Sequence, residues 1–209
     1  MLKPIWQHKR SSKKTPEKIE EIAQAHPGKR TQVWFQDEAR FGQQGTVSRK
    51  WAPTGSRPPA VKQTKYEWLY VIGAVCPATG QTVGMISPHI DTTITSVFLE
   101  QVAQQIPPDV HVVLIWDQAG FHTAHRLKVP TNMTILPLPP YSPELNPIEN
   151  LWHYLRSHHW SNREYADWDA LDEAACEAWQ KTCLDAEIIK SVCRAPYAEP
   201  IDGPREVKP

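Results

Sequence analysis

Runs of apolar residues alternate with polar, glycine- and proline-rich segments along this chain, and the spacing within each run predicts its structure. Alternation at every second residue, as at Val33, Phe35 and Asp37, is typical of a strand with one buried face. The apolar run over 110–116 is typical of a central strand that is buried on both faces. By these criteria we expect strands over residues 32–37, 46–51, 67–76, 81–87, 110–116 and 134–138.

Helices are expected where apolar residues recur at intervals of three and four. One helix is predicted from Asp91 or Thr92 to about residue 105, with an apolar stripe formed by Ile94, Val97, Phe98 and Val102. Another follows Asn146 to about residue 159, with Asn146 as the N-cap and Pro147 as the first helical residue. One or two further helices are expected within 167–193.

These elements divide the chain into three parts. Residues 1–31 are predicted to be a basic linker with one short helix, which starts at Pro16 and stops at Pro27. Residues 32–160 form the central domain, and residues 161–209 form an acidic helical extension and tail. The central order is three strands, a helix, a strand, a short linker helix, a strand and then helices. It predicts an α/β fold with a mixed sheet flanked by helices, as in ribonuclease-H-like proteins and several other layouts.

Composition and charge narrow the class of protein. The 209 residues include 23 Lys/Arg and 23 Asp/Glu, so the net charge is zero, although residues 1–31 are basic and residues 161–209 are acidic. The basic segment suits a phosphate backbone, but a solvated linker is the simpler explanation. No apolar run has the about 20 residues of a membrane span, and no secretory signal is present, so we expect a cytoplasmic protein. The cysteines lack the paired spacing of a zinc site and are expected to be free thiols: Cys76, Cys176, Cys183 and Cys193.

Three acidic residues stand at the edges of predicted core elements. Asp37 continues the apolar face of the first strand, Asp117 ends the most apolar strand, and Glu149 lies in the first turn of the helix after Asn146. Each also has a structural explanation, because Asp is common in turns and Glu149 fits a capping box. Mg²⁺ prefers oxygen ligands and is usually held by one or two carboxylates with water and substrate phosphate. Three clustered acids therefore suit a pair of Mg²⁺ ions, which can catalyse phosphodiester displacement.

Four segments resemble the transposases of the mariner superfamily, in particular the branch encoded by bacterial insertion sequences. They are VWFQDEARFG at 33–42, WAPTGSRP at 51–58, VVLIWDQAGFH at 112–122 and LPLPPYSPELNPIENLWHYLR at 136–156. The resemblance covers about residues 15–160. Two departures stand out: Gln118 occupies a position that is usually Asn, and the 31 residues between Asp117 and Glu149 are fewer than is usual.

The resemblance implies a DDE-type transposase, which is a metal-dependent endonuclease and polynucleotidyl transferase. The catalytic and metal-binding residues would be Asp37, Asp117 and Glu149, with two Mg²⁺ ions for which Mn²⁺ can substitute. A metal-activated water would cut the DNA at the element's end, and the freed 3′-hydroxyl would attack target DNA. The expected partners are transposon ends and target DNA, with either a second copy of this chain or a separate N-terminal DNA-recognition polypeptide. The expected location is the bacterial cytoplasm, in association with the nucleoid.

Candidate DNA contacts surround these acids. The basic residues between the first strand and the hairpin alternate with aromatic residues, a composition that holds DNA backbone and stacks bases, or that simply forms a solvated rim. His122 follows the second acid, and Arg156 lies seven residues after Glu149 on the same side of the predicted helix. The predicted contacts are Arg40, Arg49, Lys50, Arg57, His122, Asn146 and Arg156.

Two other functions remain open from the sequence. The chain starts at a linker, whereas the resembling transposases usually start with helix-turn-helix modules, so it is expected to bind DNA weakly, without sequence preference and with strong salt dependence. A catalytically idle fragment that serves as a DNA- or protein-binding subunit is therefore an alternative. A nuclease of the same fold that acts on RNA–DNA hybrids is another, and the SPELNPIENLW segment argues against it.

Overall fold

A computed structural model of the protein describes residues 5–43, 51–56, 63, 66–119, 126–139 and 142–196, with side chains from residue 15 onward except Pro143. Its sheet has the strand order β3-β2-β1-β4-β5. The strands are β1 (Arg30–Gly42), β2 (Trp68–Cys76), β3 (Gln81–Ser87), β4 (Val110–Trp116) and β5 (Met133–Pro137). The pairs β1–β2 and β2–β3 are antiparallel, whereas β1–β4 and β4–β5 are parallel. The predicted mixed sheet is thus confirmed.

Helices cover both faces of this sheet. They are α1 (Ile5–Ala25), α2 (Thr92–Gln104), α3 (Ile148–Leu155), α4 (Trp168–Cys183) and α5 (Ala186–Val192), with a 3₁₀ turn at Pro143–Leu145 and a π-helical turn at Arg156–Trp160. One apolar cluster lies between α2 and the sheet, and the other unites the opposite face with α3, α4, α5 and Ile19 of α1. No helix in the described part of the chain has the length and apolar character needed to cross a membrane.

Most predicted elements are confirmed, and their differences have physical causes. β1 is longer than predicted because it pairs with β4 at its start and with β2 at its end. α1 spans 21 residues and contains Pro16 in its interior, so the prediction that Pro16 starts a short helix is wrong. Burial of Ile19 against the sheet stabilises the helix beyond the proline. The predicted strand over 46–51 and the linker helix after β4 fall largely outside the described residues.

Two details of the predicted helices are wrong. Val97 of α2 is 53% exposed, because the buried stripe consists of Thr95, Phe98, Leu99 and Val102. α3 has Pro147 at its N-cap with no side-chain cap hydrogen bond, so neither the Asn146 cap nor a capping box with Glu149 forms. The Asn146 side chain is buried and donates from Nδ2 to the backbone oxygen of Gln36 on β1, at 3.0 Å.

The acidic extension after residue 160 packs on the same sheet as the central domain. Leu171, Ala175 and Ala178 of α4 and Ile189 of α5 are buried in the cluster that contains α3. Aspartates cap both helices, since Asp167 accepts from the backbone N–H of Ala170 and Asp185 from those of Glu187 and Ile188. All four cysteines are free, as predicted.

Candidate functional site

The register of β1 against β4 places two of the predicted acids at the same end of the sheet. Phe35 pairs with Ile115 in this parallel ladder, and Asp37 and Asp117 each follow two residues later. Because side chains alternate along a strand, both acids belong to the face that α3 and α4 cover. The Asp117 side chain is exposed, and its Oδ1 accepts a hydrogen bond from the backbone N–H of Ala119 at 2.9 Å.

α3 supplies the third acid and a direct contact with the first. Glu149 lies in the first turn of α3 and is exposed. Trp152, one turn further along, is buried and donates from Nε1 to Oδ2 of Asp37 at 2.9 Å. A single short helix therefore delivers both a carboxylate and a hydrogen-bond donor to the region of Asp37.

The environment of Asp37 opposes its ionised form. Burial is the largest influence, and the carboxylates of Glu38 and Glu149 add to it, so the pKa of Asp37 rises from 3.8 to about 7. Hydrogen bonds from Trp152 and from the backbone of Glu38 act in the opposite direction on this pKa but do not offset the rise. A positive ion beside Asp37 would relieve the unfavourable charge.

The donor set suits a hard divalent cation. Asp37 and Glu149 interact electrostatically, and Asp117 ends the neighbouring strand. Mg²⁺ is usually held by one or two carboxylates, with water and substrate phosphate completing its six ligands. Within the described ranges, however, no three His, Cys, Asp or Glu side chains are grouped closely enough to hold one ion together. The structure thus brings two acids together and places the third nearby without closing a three-ligand site.

The predicted DNA contacts are scattered around this region. Arg40 stacks over the ring of Trp68, with 4.1 Å from Cζ to the ring centroid, and lies on the sheet face opposite Asp37. Arg156 is half-buried at the start of the π-helical turn. Asn146 is only 5% exposed and bonded to β1, which argues against direct DNA contact and assigns it to fixing α3 on the sheet. The other four predicted contacts lie outside the described residues: Arg49, Lys50, Arg57 and His122.

Sequence reasoning missed the contact between Trp152 and Asp37. Trp152 is 1% exposed, so its burial alone would class it as an ordinary core side chain. A signal was present in Gly73 and Gly84, since an isolated glycine inside a strand often marks the close approach of another group. Gly73 pairs with Asp37 in the ladder between β1 and β2.

Comparison with known proteins identifies the family. Residues 32–172 match the family described as DDE superfamily endonuclease, and the chain belongs to this family. The chain is also 44% identical, over 114 residues, to an uncharacterized protein of Sinorhizobium fredii, y4pE/y4sA; the match covers 54% of this chain and 84% of that protein.

Solved structures agree on the fold. The catalytic domain of Mos1 mariner transposase matches with a TM-score of 0.58 at 12% identity, covering 92% of this chain and 89% of that one. The Mos1 transposase paired-end complex with left transposon end matches with a TM-score of 0.62 at 15% identity, covering 92% of this chain and 60% of that one. The chain thus spans about 60% of the length of that transposase. The predicted class, a DDE endonuclease domain with the ribonuclease-H-like fold of transposase catalytic domains, is confirmed.

Proposed function

We propose that this chain catalyses metal-dependent cleavage of DNA at the ends of a transposable element and transfer of the freed 3′-hydroxyl to target DNA. The observation that carries the proposal is the half-buried carboxyl group of Asp37 at the end of the sheet, beside Glu38 and Glu149 and next to the strand that Asp117 follows. A buried carboxyl group beside other carboxylates destabilises a fold, and such groups are typical of sites that bind cations.

Asp37, Asp117 and Glu149 would hold the metal, which we propose is a pair of ions that also bind the DNA phosphates. Mg²⁺ or Mn²⁺ supplies Lewis acidity and neutralises the charge that develops on the phosphate. Structures of the Mos1 paired-end complex with Mn and with Mg support this choice of ion. The contribution of the protein is to fix the carboxylates relative to one another and to orient the phosphodiester for in-line attack.

The partners proposed for this chain are element ends and target DNA. Arg40 and Arg156 are the described basic residues that we assign to contacts with phosphates, beside Arg49, Lys50, Arg57 and His122 from the sequence. Because such contacts are electrostatic, binding should weaken steeply with added salt. Two DNA ends have to be handled together, so we propose that the chain acts as a homodimer or with a separate polypeptide that recognises the ends. A bacterial, nucleoid-associated location follows from this role.

Strand joining tests the proposal. The chain is incubated with a labelled duplex that carries a free 3′-hydroxyl end, a supercoiled plasmid target and Mn²⁺ or Mg²⁺, in parallel with Asp117→Asn. We expect labelled plasmid with the native chain and a loss of about 100-fold or more with Asp117→Asn, because removal of a charged ligand should cost at least as much as the loss of a residue that only orients one. Equal product from both chains would contradict the proposal. No product from either, with unchanged DNA binding, would instead favour the accessory subunit.

A further inference from the structure

The buried indole of Trp152 makes a direct hydrogen bond to an acidic side chain of the candidate site. Its ring is 1% exposed and its Nε1 donates to a carboxylate oxygen, Oδ2 of Asp37, at 2.9 Å. Trp160 lies on the same side of the sheet and is 3% exposed, yet its Nε1 has no hydrogen-bond partner among the described residues. Burial alone therefore does not explain why Trp152 reaches Asp37.

Glycines on two neighbouring strands make room for that ring. Asp37 on β1 pairs with Gly73 on β2, which in turn pairs with Gly84 on β3. A Cβ atom on Gly73 would lie 2.8 Å from Cη2 of Trp152, and one on Gly84 would lie 2.4 Å from Cε2 of Trp179. Both approaches are closer than packed carbon atoms allow, so the two rings lie directly on the backbone of the sheet.

A second hydrogen bond fixes the same helix to the same strand. Nδ2 of Asn146 donates to the backbone oxygen of Gln36 at 3.0 Å, just before α3 begins. Trp152 then contacts Asp37, the next residue of β1. Glu149 lies between the two anchoring residues, three positions from each. The two bonds therefore set the height and rotation of α3 on β1, and with them the position of Glu149 relative to Asp37.

We propose that Trp152 is a positioning residue of the active site. Its indole N–H fixes one oxygen of the Asp37 carboxylate, and with it the orientation in which that carboxylate would meet a metal ion, while its helix places Glu149 beside it. Trp179 of α4, which lies over the adjacent strand β3, packs beside this ring with 6.4 Å between the ring centroids. This inference rests on the proposed function, because it assigns a task to Trp152 that matters only if Asp37 binds metal.

Mn²⁺ binding, measured by electron paramagnetic resonance of free Mn²⁺, tests the proposal in the full chain. Trp152→Phe keeps an aromatic ring but removes the donor, and Trp160→Phe is the matched control. Residues that orient metal ligands typically change affinity by about 10- to 100-fold. We expect a loss of that size for Trp152→Phe, with a change in Tm no larger than that of Trp160→Phe. Equal Mn²⁺ affinity in the two variants would overturn the proposal.

A nuclear magnetic resonance measurement covers the case in which Trp152→Phe does not fold. The indole N–H of Trp152 in the native chain should exchange slowly, and Asp37→Ala should shift its resonance and hasten its exchange. An unchanged resonance would overturn the proposal.

Asp37→Ala also separates the proposed function from the proposed role of Trp152. If it leaves Mn²⁺ binding intact, the proposed function fails; if it abolishes binding while Trp152→Phe behaves like Trp160→Phe, only the role of Trp152 fails.

Discussion

At the scale of single residues, Asp37 is an ionisable side chain in a position that destabilises the folded protein when the carboxyl group is charged. It lies between Phe35 and Ala39 on a face that is otherwise apolar, and two further carboxylates act on it. The unfolded carboxyl ionises above its usual pKa of 3.8, whereas the folded one ionises only above about 7. Between these values the folded state holds the extra proton, so the free energy of unfolding falls as the pH rises through this window.

Neutralising this residue should therefore stabilise the metal-free protein. In the presence of EDTA at pH 8, we expect Asp37→Asn to raise Tm by about 2–4 °C, which corresponds to roughly 1 kcal/mol in a chain of this size. The gain should shrink as the pH falls toward 5, because the native carboxyl then becomes protonated in the fold. Thermal unfolding followed by circular dichroism measures this, with Glu100→Gln on the exposed side of α2 as the control. A lower Tm for Asp37→Asn at pH 8 would show that the carboxylate is compensated within the protein.

The sequence predicted which residues of a strand share a face, but it did not predict contacts between residues of different elements. Val33, Phe35 and Asp37 do share one face, since a period of two depends only on local geometry. The partner of Asn146 is Gln36, 110 residues earlier in the chain. The preference of Asn for the N-cap position depends only on the helix that it precedes. It could not predict that β1 would bring the backbone oxygen of Gln36 to the Asn146 side chain.

At the scale of elements, the end of α1 is joined to the sheet through two stacked histidines. The rings of His26 and His111 lie 3.5 Å apart between centroids, and His111 is 1% exposed on β4. Nε2 of His111 lies 2.8 Å from Oγ1 of Thr134. Burial, together with the positive charges of His26 and Lys29, lowers the pKa of His111 from 6.5 to about 4. The folded protein therefore favours the neutral form of the His111 ring.

This depressed pKa predicts acid sensitivity in a defined window. Unfolded His111 takes up a proton below pH 6.5 and the folded ring only near pH 4, so stability is complete above pH 6.5 and is lost as the pH falls toward 4. Between pH 7 and pH 5 the contribution of His111 alone should fall by about 2 kcal/mol, which opposes the gain expected from Asp37 over the same interval. Urea unfolding at both pH values should show that the change in stability from pH 7 to pH 5 is more favourable for His111→Asn than for the native chain. An equal change in the two chains would mean that His111 does not carry the effect; His89→Asn, a change at the surface, is the control.

At the scale of the whole molecule, one sheet face and three helices form a single core around the candidate site. The predicted boundary at residue 160 follows the change in charge, yet α4 places Trp179 against Gly84, and α4 and α5 bury Leu171 and Ile189 in the cluster that contains Trp152. The acidic composition of this segment indicates that much of its surface faces solvent. It does not reveal that the other side of an acidic helix closes the core beneath the candidate site.

Removing the extension should consequently unfold the central domain. A chain that ends at residue 160 is expected to lose the cooperative thermal transition, because the apolar face beneath α4 and α5 would be open to water. A chain that ends at residue 196 retains both helices and is the control. Circular dichroism and analytical ultracentrifugation distinguish the two. A folded, monomeric chain ending at residue 160 would establish the extension as a separate domain.

Nicking of supercoiled plasmid in the presence of Mn²⁺ tests the central claim, that Asp37, Asp117 and Glu149 together form the catalytic metal site. Rates are compared for the native chain, for Asp37→Asn, Asp117→Asn and Glu149→Gln, and for Glu100→Gln as a matched neutralisation on the opposite face of the sheet. The account predicts a metal-dependent rate for the native chain and Glu100→Gln, and a loss of at least about 100-fold for each of the other three variants. Nicking by the native chain that persists in any one of those three variants would contradict it.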